Sequence, residues 1–155
     1  MVKSTMIETF VSNIFLGVDQ AYIYIWISKI HKAVYVGMTN DRVGTLGRAS
    51  AHLNPNGTLR KQFLNSKGYP IDTTDDFKLL TFALPRKKEY CTVERSYREG
   101  VEYLVQKELL LIRGTLSPTF DVISWVRNSP RTGNAEVIAT AKSIVARFVS
   151  EYSRL

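Results

Sequence analysis

The sequence predicts an α+β fold, with a small central, largely antiparallel three-stranded sheet flanked by helices. Three observations carry that expectation. Residues 21–27 and 33–37, "AYIYIWI" and "AVYVG", alternate with period two and stand one turn apart, the pattern of a hairpin. Residues 76–83, "DFKLLTFA", read as a third strand closed by Pro85. Residues 92–113 and 135–153 instead repeat apolar side chains every three or four positions, as amphipathic helices do.

A chain of 155 residues has room for one domain and one hydrophobic core. No apolar run is long enough to span a bilayer, and Glu8 interrupts the one early apolar stretch, so neither a membrane span nor a secretory leader is read here. A single cysteine, Cys91, excludes an internal disulfide and a thiolate metal cluster, and suits packing better than chemistry. The expectation is a soluble cytoplasmic protein. The 21 Lys and Arg against 14 Asp and Glu give a net charge of +7, which favours a polyanionic partner.

Taken in order, a first helix is expected after Ser4, with Met6, Phe10, Ile14 and Leu16 or Val11 inward and Gly17 as its stop. The hairpin follows, then helices over 45–54 and 58–66 and the third strand. The long helix is expected from Thr92, as N-cap, to Arg113, with Gly114 as C-cap. "NSPRTGN" at 128–134 joins the core to a last helix, whose apolar face carries Val137, Ile138, Ala141, Ile144, Val145, Phe148, Val149 and Tyr152. That face suits a dimer surface or the core equally.

Alternation puts Ile23, Ile25 and Ile27 on one face of the hairpin and Tyr22, Tyr24 and Trp26 on the other. Burying the aliphatics together pairs them with Val34 and Val36, and the same register places Tyr24 and Tyr35 on one face. Those tyrosines are either strand formers packing under a helix or one wall of a site. Gly37 leaves space beside Tyr35 for a backbone or a ligand.

In "GTLGRASAHLNPNGT", Leu46, Ala49 and Leu53 form the expected inner stripe, with Arg48 and His52 one turn apart on an adjacent face. A guanidinium that grips two phosphate oxygens beside an imidazole that moves or orients a proton suits a phosphodiester, although such pairs also occur on plain solvated faces. In the long helix the expected buried stripe is Tyr97, Val101, Leu104, Glu108 and Leu111, so a carboxylate replaces a core residue. An ionised Glu108 there calls for a metal, for Arg48 as an ion-pair partner, or for an escape to water. Glu99, Glu102 and Gln106 fall on the polar side.

With these residues in hand, the chain resembles the GIY-YIG nuclease superfamily, and possesses some likeness to its restriction-endonuclease members. "YIY" at 22–24 stands where the family has GIY, and "YVG" at 35–37 where it has YIG. "GMTN" and "GRASAHL" are similar to the following stretch, with its Arg and a His four residues on, here Arg48 and His52. "ELLLIRGTLSPTFDV" is similar to the block that carries the family's metal-binding Glu, here Glu108, and ends with Asp121 where the family has Asn. Tyr22 in place of the first Gly is a second departure. The resemblance covers residues 21–123, leaving 1–20 and 134–155 as helical additions to a single domain of residues 1–155.

The resemblance implies a metal-dependent DNA endonuclease using Mg²⁺ or Mn²⁺, of restriction or phage-defence type, acting on double-stranded DNA as a monomer or homodimer. Glu108 would hold the metal, Arg48 the scissile phosphate, and Tyr24 would be the general base, with Tyr35 orienting water or phosphate. His52 would relay a proton or hold Tyr24. Thr39, Arg60, Lys61, Arg86, Lys87 and Lys88 are the candidate DNA contacts. The alternative is a catalytically inactive DNA-binding or adaptor protein of the same fold.

Overall fold

A computed structural model of the chain describes residues 19–72, 75–93, 96–124 and 128–155. The helix expected after Ser4 lies outside the described residues. Strands β1 (Tyr22–Ser28) and β2 (Ala33–Thr39) form the hairpin, followed by helices α1 (Gly44–Leu53) and α2 (Thr58–Lys67). Strand β3 (Lys78–Ala83), the four-residue helix α3 (Lys88–Cys91) and helix α4 (Tyr97–Ile112) come next. A 3-10 turn, Arg113–Thr115, strand β4 (Asp121–Val122) and helix α5 (Ala135–Tyr152) complete the order.

The α+β class holds, but the sheet is four-stranded and mixed, in the order β3-β1-β2-β4. β1 pairs antiparallel with both β2 and β3, while β4 runs parallel to β2 opposite Ala33 and Val34. A two-residue strand is too short for any alternation to announce it, which is why three strands are legible and the fourth is not. The hairpin register matches the expected one, with Ile25 opposite Val36 and Ile27 opposite Val34.

The sheet divides two apolar layers. Ile23, Ile25, Ile27, Val34 and Val36 pack with Val101, Val105 and Leu109 of α4 and with Val137, Ala141, Ile144 and Phe148 of α5. On the other face Tyr24, Trp26 and Tyr35 pack with Ala49 of α1 and with Leu59 and Phe63 of α2. α5 comes so close to α4 that a Cβ at Gly100 would stand 2.9 Å from Val137 Cγ1. The apolar face of α5 is therefore core and is not available as a dimer surface. Phe148 and Tyr152 stack at 5.4 Å and both meet Phe120, at 5.8 and 5.3 Å.

Two helix boundaries depart from expectation for local reasons. Residues 88–91 form the separate α3, so Thr92 follows a helix and does not start one. The N-cap of α4 is Ser96, whose Oγ accepts from the Glu99 amide. At the far end α4 tightens into the 3-10 turn through Gly114, without a left-handed cap. No described helix is long and apolar enough to cross a membrane.

Candidate active site

The hairpin register sets Tyr24 directly opposite Gly37. The phenol of Tyr24 lies across that glycine so closely that a Cβ there would come within 2.3 Å of its Cζ and Oη. The space that Gly37 leaves is thus filled by Tyr24 itself. Tyr24 and Tyr35 share the face covered by α1 and α2, as the alternation implies.

α1 presents a different stripe from the expected one. Thr45, Ala49 and His52 are buried, whereas Leu46 and Leu53 are 38% and 49% exposed. The rotation brings His52 under the sheet, where it meets both tyrosine rings edge-on at 5.3 and 5.1 Å. Its Nε2 stands 2.6 Å from Tyr24 Oη, and its Nδ1 accepts from the Leu59 amide at 3.3 Å. An imidazole that accepts at Nδ1 carries its proton on Nε2. His52 therefore donates to Tyr24, and that nitrogen is closed to a proton from the phenol.

The Leu59 amide belongs to the first turn of α2, one of the donors that a helix leaves without an internal partner. Gly57 seats that turn against the end of α1, since a Cβ there would collide with the His52 and Ala51 carbonyl oxygens at 2.1 and 2.6 Å. Burial, with the Arg48 cation adding to it, lowers the His52 pKa from 6.5 to about 4, so His52 is neutral at physiological pH.

Tyr24, Tyr35 and Arg48 line a cleft of about 280 Å³ together with Val36, Met38, Thr58, Gln62 and Glu102. Burial raises the Tyr24 pKa well above the ordinary phenol value, with the neighbouring Tyr35 and Glu102 adding to it. Arg48, turned toward the Tyr24 hydroxyl, opposes that rise through hydrogen bonding and charge. Tyr35 is pushed up to about 12 by burial and by Glu102, again against Arg48.

The carboxylate at this cleft is Glu102, not Glu108. α4 packs on the aliphatic face of the sheet, and where β2 has no strand partner beyond β4 its Gln106 Nε2 donates to the Val36 carbonyl at 3.4 Å and to Ser124 Oγ at 3.2 Å. Ser124 Oγ in turn accepts from the Val36 amide at 3.1 Å. Glu102, one turn before Gln106, reaches the cleft past that edge. Glu108 is six residues further on, roughly 9 Å along the axis and about 120° around it. It is half-buried and away from the cleft.

Asp121 is also remote. It pairs opposite Ala33, four residues and roughly 13 Å along β2 from Gly37. Its carboxylate meets Lys67 Nζ at 2.7 Å and Arg113 at 3.5 Å, so it adds no charge at the cleft. Cys91 is half-buried and its thiol is raised by burial, in keeping with a packing role.

The candidate DNA contacts separate into groups. Lys87 is ion-paired to Glu136 at 2.7 Å, and Arg86 Nε donates to Gln20 Oε1 at 2.8 Å. Lys88 is exposed at the start of α3. Thr39 is buried at the end of β2, where its Oγ1 accepts from the Asp41 amide at 3.0 Å. Arg60 and Lys61 lie on α2, with Arg60 Nε donating to the Leu53 carbonyl at 2.9 Å.

Among the described residues no three His, Cys, Asp or Glu side chains converge as a metal-binding group. The cleft offers one carboxylate, Glu102, near two phenol oxygens. Such an all-oxygen set with few protein ligands suits Mg²⁺ or Mn²⁺, which keep several waters and take substrate phosphate oxygens.

The chain matches no protein-family model, no curated protein and no solved structure.

Proposed function

We propose that the chain is a metal-dependent DNA endonuclease of the GIY-YIG type, with Glu102 in the role the sequence suggests for Glu108. The observation that carries this reading is the convergence of Tyr24, Tyr35, Arg48 and Glu102 on one cleft, with His52 bonded to Tyr24 from behind. A passive DNA-binding surface has no need of a carboxylate next to two phenols, because a negative charge there repels phosphate.

A divalent cation held at Glu102 would supply positive charge that offsets the effect of this carboxylate on both phenols and polarises the phosphate oxygens. Arg48 binds a non-bridging oxygen of the scissile phosphate and stabilises the charge that grows there during in-line attack by water. After the phenol of Tyr24 has given its proton to solvent, the phenolate takes a proton from the attacking water while the phosphorus–oxygen bond to the leaving sugar breaks and the departing oxygen takes a proton from solvent. His52 favours that phenolate by donating from Nε2 and holds the ring in place. Tyr35, on the same wall, orients the water or the phosphate.

The restriction or phage-defence role and the double-stranded substrate belong to this proposal. The test is incubation of the purified protein with supercoiled plasmid, with Mg²⁺ or with EDTA. Cleavage is expected to need Mg²⁺, to vanish in Glu102→Gln and Tyr24→Phe, and to survive in Glu108→Gln. Cleavage that survives Glu102→Gln and is lost in Glu108→Gln would place the metal at Glu108. DNA binding without cleavage under any condition would leave the inactive, DNA-binding alternative.

A further inference from the structure

α2 is attached to the domain by a narrow strip. Of its ten residues only Leu59 and Phe63 are buried. Thr58, Lys61, Gln62 and Asn65 follow at spacings of three, one and three, which places them within an arc of roughly 100° on the helix surface. Thr58 and Gln62 form part of the cleft wall that also holds Arg48 and Glu102. Lys61 and Asn65 continue that strip away from the cleft and are exposed.

None of these four side chains hydrogen-bonds or ion-pairs within the described residues. Of the other candidate DNA contacts, Arg60, Arg86 and Lys87 each have a partner in the protein. A glutamine in a cleft wall carries two donors and an acceptor, and left unused they represent capacity for a ligand. Gln62 and Asn65 are three residues apart, roughly 4.5 Å along the helix, close to the spacing of about 3.4 Å between successive bases of one strand.

We infer that α2 reads nucleobase edges beside the scissile phosphate, with Gln62 and Asn65 recognising adenine and Lys61 neutralising a backbone phosphate. A planar amide matches the N6 donor and N7 acceptor that adenine shows in the major groove, whereas a lysine beside phosphate carries no sequence information. This inference rests on the nuclease reading for its substrate, and its test uses binding so that the two can fail separately.

Duplexes bound from a randomised library in EDTA are sequenced for the wild type, Gln62→Ala, Asn65→Ala and Lys61→Ala. The wild type should enrich a motif containing adenine. Gln62→Ala and Asn65→Ala should each lose roughly ten-fold in discrimination at one or two adjacent positions and keep the salt dependence of binding. Lys61→Ala should weaken all sequences alike and reduce the slope of log K against log salt by about 0.9. Binding without enrichment by the wild type, or an unchanged motif in both amide variants, would overturn the inference. Neither result depends on cleavage, so an inactive protein that still enriches the motif would sink the nuclease reading and leave α2 as the reader.

Discussion

The titration of His52 should be visible in the stability of the whole domain. Its side chain is 1% exposed, and burial with the adjacent Arg48 lowers its pKa from 6.5 to about 4. Because the folded-state value lies below the unfolded one, the unfolded chain takes up the proton more readily. The stability contributed by neutral His52 is therefore full above pH 6.5 and is lost as pH falls toward 4. Between pH 7 and pH 5 that loss amounts to about 2 kcal/mol.

Urea unfolding of the wild type and His52→Gln at pH 7, 6 and 5 measures it. Glutamine keeps a donor and an acceptor but does not titrate, so whatever the substitution costs at pH 7 recurs at every pH and drops out of the comparison. All other ionisable groups are common to both proteins and cancel as well. The wild type should lose about 2 kcal/mol more than the variant on going from pH 7 to pH 5. Parallel curves, within about 0.5 kcal/mol of each other, would refute the claim that the fold holds this imidazole neutral.

Gly37→Ala places a methyl group within 2.3 Å of the Tyr24 ring and must displace it. The expected cost is about 1–3 kcal/mol in chemical denaturation together with loss of plasmid nicking, and an unaltered nicking rate would contradict the placement of Tyr24. Phe148→Ala opens a cavity beneath Phe120 and Tyr152 and should cost about 3–5 kcal/mol in urea unfolding. Asn134→Ala removes the cap of α5, whose Oδ1 accepts from the Glu136 and Val137 amides at 3.0 and 3.1 Å. A loss of about 1 kcal/mol is expected by the same measurement.

Much of this architecture was legible because period two is unambiguous. Ile23, Ile25 and Ile27 can be buried together in only one hairpin register, and that register is the one observed. The same pattern brings Tyr24 and Tyr35 to one face, and the Arg48–His52 spacing puts those two side chains on one side of α1, though it does not show that His52 lies on the buried stripe. What misled was helical phase. "LLLI" at 109–112 supplies an apolar residue at every position, so it fits several phases of α4 equally well. The expected stripe used Glu108 and Leu111, yet Leu111 is 69% exposed and the buried positions are Arg98, Gly100, Val101, Val105, Gln106 and Leu109.

The signal that separates these phases is polar. Glu102 and Gln106 lie one turn apart, and their joint inward turn is intelligible only once β2 is known to lose its neighbour after Val34. The Val36 backbone then needs side-chain partners, and Gln106 and Ser124 supply them. A two-residue strand decides where that edge opens, and nothing local in the sequence encodes it. The phase of α1 is obscured for a related reason, since Leu46 and Leu53 outrank Thr45 and His52 in hydrophobicity although the polar pair is the one buried.

One imidazole ties two distant tasks together. His52 touches the first turn of α2 with Nδ1 and the Tyr24 hydroxyl with Nε2. If that turn moves, the hydrogen bond that fixes the imidazole proton weakens, and the donor facing the phenol is lost or can become an acceptor. The acidity of Tyr24 is thus tied to the seating of a helix whose apolar anchors in the domain are Leu59 and Phe63. On the proposed nuclease reading, a poorly fitting duplex that tilts α2 would detune Tyr24 through His52, which is buried out of its reach.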